Sequence, residues 1–117
     1  GGSRYFWQEV KEEGDPIEAI AYRYLTRPPC NRMHPAEDRV RLLQERAQEF
    51  NVDGVIHQSI KFCDNYAGQY TIMKRGLDEI GIPVLNLERE YIMVGSGQMK
   101  TRVGAFLESL EGREARR

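Results

Sequence analysis

A surplus of charge of either sign is the first thing this sequence lacks. Its 17 Lys plus Arg are set against 18 Asp plus Glu, a net charge of −1, whereas nucleic acid and anionic membranes both reward a basic surplus. No apolar run approaches the roughly 20 residues that span a bilayer. Nor do a charged n-region, an apolar h-region and a small-residue cleavage site follow one another. A cytoplasmic protein with no nucleic-acid or membrane partner is the expectation. Cysteine is scarce as well. Two cysteines in 117 residues cannot build the disulfide framework of a small secreted domain, and no CxxC or Cys/His pair stands at metal-ligand spacing. Cys30 and Cys63 must therefore be read singly. Repeats and low-complexity runs are absent. No Met stands at position 1, and Gly1-Gly2-Ser3 is of the kind a fusion junction leaves, so the chain reads as a piece of a longer protein.

What is present suits one modest domain, with 40% hydrophobic residues to fill a core. Residues 1–14 read as an N-terminal segment, 15–112 as a single α/β domain and 113–117 as a polar tail that frays. Asp15-Pro16-Ile17-Glu18 combines an N-cap acid, a proline at the first helical position and a glutamate placed for a capping box. Ile17, Ile20, Ala21, Tyr24 and Leu25 then recur at helical spacing until Pro28-Pro29, which predicts a helix over 15–26. After an irregular segment, Pro35 opens a second helix. Its Val40, Leu43, Ala47 and Phe50 are expected to face inward, with Glu37, Arg41, Glu45 and Arg46 in solvent, and it ends near Asn51.

β-Branched residues over 52–62 lie between an Asp53-Gly54 turn and a Cys63-Asp64-Asn65 turn, the pattern of a buried strand. A helix follows with Ala67, Tyr70, Leu77 and Ile80 on one face, a left-handed C-cap at Gly81 and Pro83 to end it. Val84-Leu85-Asn86-Leu87 is the second strand. The last helix begins near Ser96 to Gln98, buries Met99, Val103, Phe106, Leu107 and Leu110, and stops at Gly112. Strand, helix, strand is one βαβ unit with parallel strands and a right-handed crossover. The expected fold is a three-layer α/β domain of flavodoxin or Rossmann type. Two strands are too few for such a sheet, so it should be incomplete at its N-terminal side. Arg4-Tyr5-Phe6-Trp7 is a candidate for a third strand, or for the loop after a strand that precedes residue 1.

In open parallel sheets, ligands gather at the carboxyl ends of the strands. Lys61-Phe62-Cys63-Asp64-Asn65, Glu88-Arg89-Glu90-Tyr91 and Gly95-Ser96-Gly97-Gln98 meet that rule. A thiol at a strand end facing a helix N-terminus sees a partial positive charge that favours thiolate, so Cys63 is a candidate metal ligand. As a small buried hydrophobe it would be inert. Cys30, in a proline-rich loop, is a second candidate or an inert loop cysteine. Gly97 and Gln98 could offer backbone N–H groups to a phosphate, with Lys100 and Arg102 adding charge, although a flexible helix entry explains the glycines equally. His34 and His57 read as structural histidines or caps, Glu88-Arg89-Glu90 as a solvated loop, and Tyr66 and Tyr70 as core.

Taken together, the motifs form an ordered set. Val52-Asp53-Gly54-Val55-Ile56, Lys61-Phe62-Cys63-Asp64, Gly81-Ile82-Pro83-Val84-Leu85-Asn86-Leu87-Glu88, Gly97-Gln98-Met99-Lys100-Thr101-Arg102 and Ala105-Phe106-Leu107-Glu108 follow one another. Arg23-Tyr24-Leu25 and Pro29-Cys30 precede them. This series, over most of residues 4–110, resembles the C-terminal part of the 2-hydroxyacyl-CoA dehydratase and benzoyl-CoA reductase subunits.

The resemblance implies subunits about three times longer, paired pseudo-symmetrically with a homologous partner subunit. Each holds a 4Fe-4S cluster through cysteines drawn from different domains. The cysteine of the Lys-Phe-Cys-Asp motif, the C-terminal domain's ligand, falls on Cys63; Cys30 matches a recurring cysteine of unassigned role. A separate ATP-hydrolysing activator protein passes a low-potential electron to the cluster and on to the acyl-CoA thioester, for elimination of an α-hydroxyl or for ring reduction. The ligands outside this chain are missing, so the fragment alone should be inactive. Glu90 followed by Tyr91 leaves the subfamily open. Two other readings stand beside this one: a metal-free, flavodoxin-like binding or docking module, and a thiol switch between Cys30 and Cys63.

Overall fold

The structure is a computed structural model, and it describes residues 9–33, 35–91 and 96–115. The order of elements is α1 (Pro16–Leu25), α2 (Glu37–Glu49), β1 (Val55–Ile60), α3 (Asp64–Glu79), β2 (Val84–Arg89) and α4 (Ser96–Glu114). The third-strand candidate at 4–7, His34 and Gly95 lie outside the described residues.

Helix α1 starts where its capping residues place it. Asp15 Oδ1 accepts from the backbone N–H groups of Ile17 (2.8 Å) and Glu18 (3.0 Å), and Pro16 occupies the first turn. No other described helix or strand packs closely on α1. Ile17, Ile20, Tyr24 and Leu25 are consequently exposed, and the helix leans on its cap more than on tertiary contacts. Asp15→Ala should cost α1 about 1 kcal/mol, read as several-fold faster amide exchange over residues 17–25 with α3 unaffected.

α2 and α3 pack side by side. They approach so closely at Gly76 that a Cβ there would lie 2.1 Å from Val40 Cγ1. Gln44 Nε2 also donates to Gly76 O (2.6 Å) across the same seam. α3 then ends as expected: Gly81 adopts φ +76, and the N–H groups of Gly81 and Ile82 return to the carbonyls of Asp78 and Leu77 (both 3.0 Å).

Strands β1 and β2 are parallel, with Val55 opposite Val84 and Ile60 opposite Arg89, as the βαβ reading requires. The sheet has two strands among the described residues, so the mixed α/β class is established and a three-layer flavodoxin type is not. α3 covers the His57 and Ser59 side of β1, while Ile56 and Gln58 on the opposite side stay exposed. α4 packs on β2 and closes the base of the sheet, where Phe106 and Leu110 sit against Gly54; a Cβ at Gly54 would meet Phe106 Cζ at 2.8 Å. Leu77, 1% exposed, is the core's most deeply buried large side chain.

Several sequence expectations need correction. Phe50 lies beyond the end of α2 and is half-exposed, because Asn51 at φ +48 turns the chain away. Leu107 is half-exposed and Ala67 exposed, since a narrow sheet covers only part of each helix. Arg46 is partly buried and pairs with Glu49. The first strand is shorter than 52–62: Val52 N–H bonds back to Ala47 O (3.0 Å), and Phe62 leaves extended geometry. Glu88 and Arg89 belong to β2 rather than to a loop, and α4 runs through Gly112 to Glu114.

Candidate functional site

The site is built at the carboxyl end of β1. Lys61 N–H still reaches Arg89 O of β2 (2.8 Å), and the chain then turns sharply, with Cys63 N–H bonded to Ile60 O (3.0 Å). The turn puts Phe62 at φ +66, left-handed backbone that a bulky residue adopts at a cost of about 1–3 kcal/mol. Phe62 is 90% exposed, so no burial of its ring offsets that strain. What the strain achieves is the placement of Cys63 as the N-cap of α3, its carbonyl accepting from Tyr66 N–H (3.1 Å) and Ala67 N–H (3.0 Å). The thiol is half-buried and makes no capping hydrogen bond.

Neighbouring loops converge on this end of the sheet. Lys61 Nζ and Glu90 Oε1 are 3.1 Å apart, tying the β1 loop to the β2 loop. Both side chains are about half-exposed, so the pair is worth at most about 1 kcal/mol and serves orientation. The loop carrying Cys30 reaches the same end of α3. The Asn65 amide, oriented with its oxygen toward Arg32, accepts from Arg32 Nε (2.9 Å) and Nη2 (3.1 Å). Arg39, only 7% exposed, donates through Nη1 to the carbonyls of Cys30 and Met33 (both 2.7 Å) and through Nη2 to Gln69 Oε1. Gln69 Nε2 in turn donates to Asn31 O (3.3 Å).

Beneath α3, His57 is 5% exposed and its Nδ1–H donates to Asn86 Oδ1 (3.1 Å) on the register partner of β2. That tautomer leaves Nε2 as an acceptor, buried and without a partner among the described residues. The rings of Tyr66 and Tyr70 lie 6.4 and 5.5 Å from the imidazole, so both tyrosines serve as its cover more than as deep core. Gly97 and Gln98 are exposed in the first turn of α4, where Thr101 Oγ1 donates to Gly97 O (3.0 Å). Arg102, further along α4, donates to Asn86 O (2.7 Å).

The structure thus joins the Cys63 turn, the Cys30 loop and the Glu90 loop. It places no cluster of three or more His, Cys, Asp or Glu side chains fit for a metal ion among the described residues. Sequence reasoning missed Arg39, Gln69 and Asn86. For Arg39 a signal existed: it lies three residues after Ala36 and four before Leu43, on the inward side of α2.

A family model described as 2-hydroxyglutaryl-CoA dehydratase, D-component, matches residues 1–110. A protein of Escherichia coli (strain K12) named as a dehydratase subunit, YjiM, is 34% identical over 110 residues, covering 93% of this chain and 28% of its own. The (R)-phenyllactyl-CoA dehydratase beta subunit of Clostridium sporogenes is 31% identical over 108 residues, 92% of this chain and 29% of that one. The lactoyl-CoA dehydratase subunit beta of Anaerotignum propionicum is 27% identical over 99 residues, 84% of this chain and 26% of that one. The chain therefore spans between a quarter and a third of the length of these relatives. No described helix is long and apolar enough to cross a membrane. Because the family model matches residues 1–110 of its 117, this chain belongs to the 2-hydroxyglutaryl-CoA dehydratase D-component family.

Proposed function

We propose that this chain is the part of a 2-hydroxyacyl-CoA dehydratase subunit that brings one thiolate, from Cys63, to a 4Fe-4S cluster. The supporting observation is a single half-buried thiol at the N-cap of α3, at the carboxyl end of a parallel strand, on a turn held by a strained Phe62. One thiolate cannot hold a cluster, and no further donors assemble around it among the described residues. Its setting fits one donor of a shared site, the remaining ligands coming from the other parts of a subunit several times this length.

When bound, such a cluster supplies one low-potential electron to the acyl-CoA thioester. The chain's own residues hold and orient. The Lys61–Glu90 pair joins the two strand-end loops, the Arg32–Asn65 contact fixes the first turn of α3, and the backbone N–H groups near Gly97 and Gln98 are available to an anionic part of the CoA. A separate ATP-hydrolysing activator protein and a homologous partner subunit complete the system. Elimination of an α-hydroxyl is favoured over benzoyl-CoA ring reduction, because two of the similar proteins are named for phenyllactyl-CoA and lactoyl-CoA dehydration.

The test is anaerobic iron–sulfide reconstitution of the complete subunit and of its Cys63→Ser variant. Iron per subunit and the broad visible absorption of a thiolate-bound cluster are expected to drop sharply in the variant. Equal iron and an identical spectrum would exclude Cys63 as a ligand.

A further inference from the structure

Arg39 carries a charge that nothing described nearby balances. Its guanidinium is buried on the inner side of α2, and its recorded partners are two backbone carbonyls, Cys30 O and Met33 O, and the neutral amide of Gln69. No carboxylate pairs with it among the described residues, and its Nε is buried without a partner. A buried cation held only by dipoles is costly, several kcal/mol in effective terms. The arrangement is also specific to arginine, because one planar fork reaches three acceptors on two segments, which a lysine ammonium on a flexible stem does not reproduce.

Its position gives the charge a use. Residues 30–33 form a turn closed by Met33 N–H to Cys30 O (2.9 Å), and side chains from α2 and α3 hold that turn in place. Arg39 grips the loop at both ends, Gln69 grips it at Asn31, and Arg32 reaches Asn65. Asn65 and Gln69 lie two and six residues after Cys63, within the first two turns of α3.

We infer that Arg39 is the positioning residue of the Cys63 site, clamping the loop at 30–33 across the first turns of α3 and supplying the buried positive charge that an anionic, thiolate-bound metal centre balances. The inference rests on the proposed cluster role of Cys63 for its second half and on the geometry alone for its first. Gln69→Glu keeps the acceptor that Arg39 Nη2 meets, gives up the amide donor to Asn31 O, and adds a carboxylate, so it supplies from within the countercharge that the metal centre otherwise provides.

The experiment uses the complete subunit. In the metal-free form, iodoacetamide modification of Cys30 followed by mass spectrometry is expected to accelerate at least about tenfold in Arg39→Met, with Arg39→Lys in between, and to rise only slightly in Gln69→Glu, which loses the Asn31 grip but pairs the Arg39 guanidinium with a carboxylate. Should Arg39→Met fail to fold, Gln69→Leu, which removes one grip, gives the same readout with a smaller acceleration. In the reconstituted form, the cluster's midpoint potential is expected to move to a more negative value in Gln69→Glu with the visible spectrum unchanged. Native labelling rates in both Arg39→Met and Gln69→Leu would overturn the clamp. A potential that does not move in Gln69→Glu would overturn the charge role. If the native subunit binds no iron while labelling still accelerates in Arg39→Met, the clamp stands, and the ligand reading of Cys63 fails together with the charge role that depends on it.

Discussion

On the proposed cluster role, Cys63→Ser in the complete subunit, assayed with the proposed partner subunit and activator, is expected to reduce dehydration of a 2-hydroxyacyl-CoA by more than the roughly 100-fold that loss of a metal ligand's supporting group can cause. Serine has nearly the same size, but its hydroxyl is a far weaker acid and a harder donor, poorly matched to iron in a sulfur-rich cluster. The same exchange acts in the opposite direction on the fold. Cys63 is the N-cap of α3 and makes no capping bond through its side chain; serine is among the preferred caps, whose hydroxyl accepts from an N–H of the first turn, a gain of about 1 kcal/mol. The metal-free Cys63→Ser subunit should therefore unfold at an equal or higher denaturant concentration than the native protein while turning over far more slowly. A residue kept for packing behaves differently, losing stability and activity together. Full turnover in the variant would sink the ligand role, and a large loss of stability would recast Cys63 as structural. Cys30→Ser is the contrast. Cys30 meets Arg39 through its backbone carbonyl, which serine retains, so that variant should keep most of the native iron and activity.

Where the sequence was legible, the signal was local. The Asp15 cap, the Gly81 C-cap and the strand–helix–strand order depend on neighbours in the chain, and each is found where expected. The Lys-Phe-Cys-Asp motif placed Cys63 at a strand end for the same reason. What was not legible depends on partners far away in sequence. Arg39 reads as one more charge on a charged helix until the carbonyls of Cys30 and Met33 and the amide of Gln69 are seen around it. His57 alternates like any inward strand residue, and only the register of β1 on β2 shows that its partner is Asn86. Phe50 and Leu107 follow the apolar period of their helices, yet the turn at Asn51 carries Phe50 away from the core, and the two strands among the described residues are too narrow to cover Leu107. Phe62 misleads in a different way: an apolar residue after a strand suggests burial, whereas its left-handed backbone and exposed ring belong to the turn that presents the thiol.

Gly76→Ala is expected to destabilise the fold by about 2 kcal/mol, although alanine is the better helix former by about 1 kcal/mol. The added methyl would stand 2.1 Å from Val40 Cγ1 and 3.3 Å from Val40 Cβ, so α2 and α3 must separate or Val40 must abandon its rotamer. Overpacking of this kind costs typically 1–3 kcal/mol, and here the clash lies next to the Gln44 bond to Gly76 O and to Leu77. Separation of the helices also strains the clamp, since Arg39 and Gln69 bridge the same two elements. Val40→Ala alone should cost about 1–2 kcal/mol through the space it leaves. The double variant Gly76→Ala with Val40→Ala puts a methyl into that space, and should be more stable than the sum of the single effects by about 1 kcal/mol or more. Urea unfolding of the four proteins measures this coupling. Strict additivity, or a Gly76→Ala variant as stable as the native chain, would show that the helices have room to spare at their crossing. The expected coupling would show that the α2–α3 spacing, and with it the distance from Arg39 to the first turns of α3, is set at Gly76.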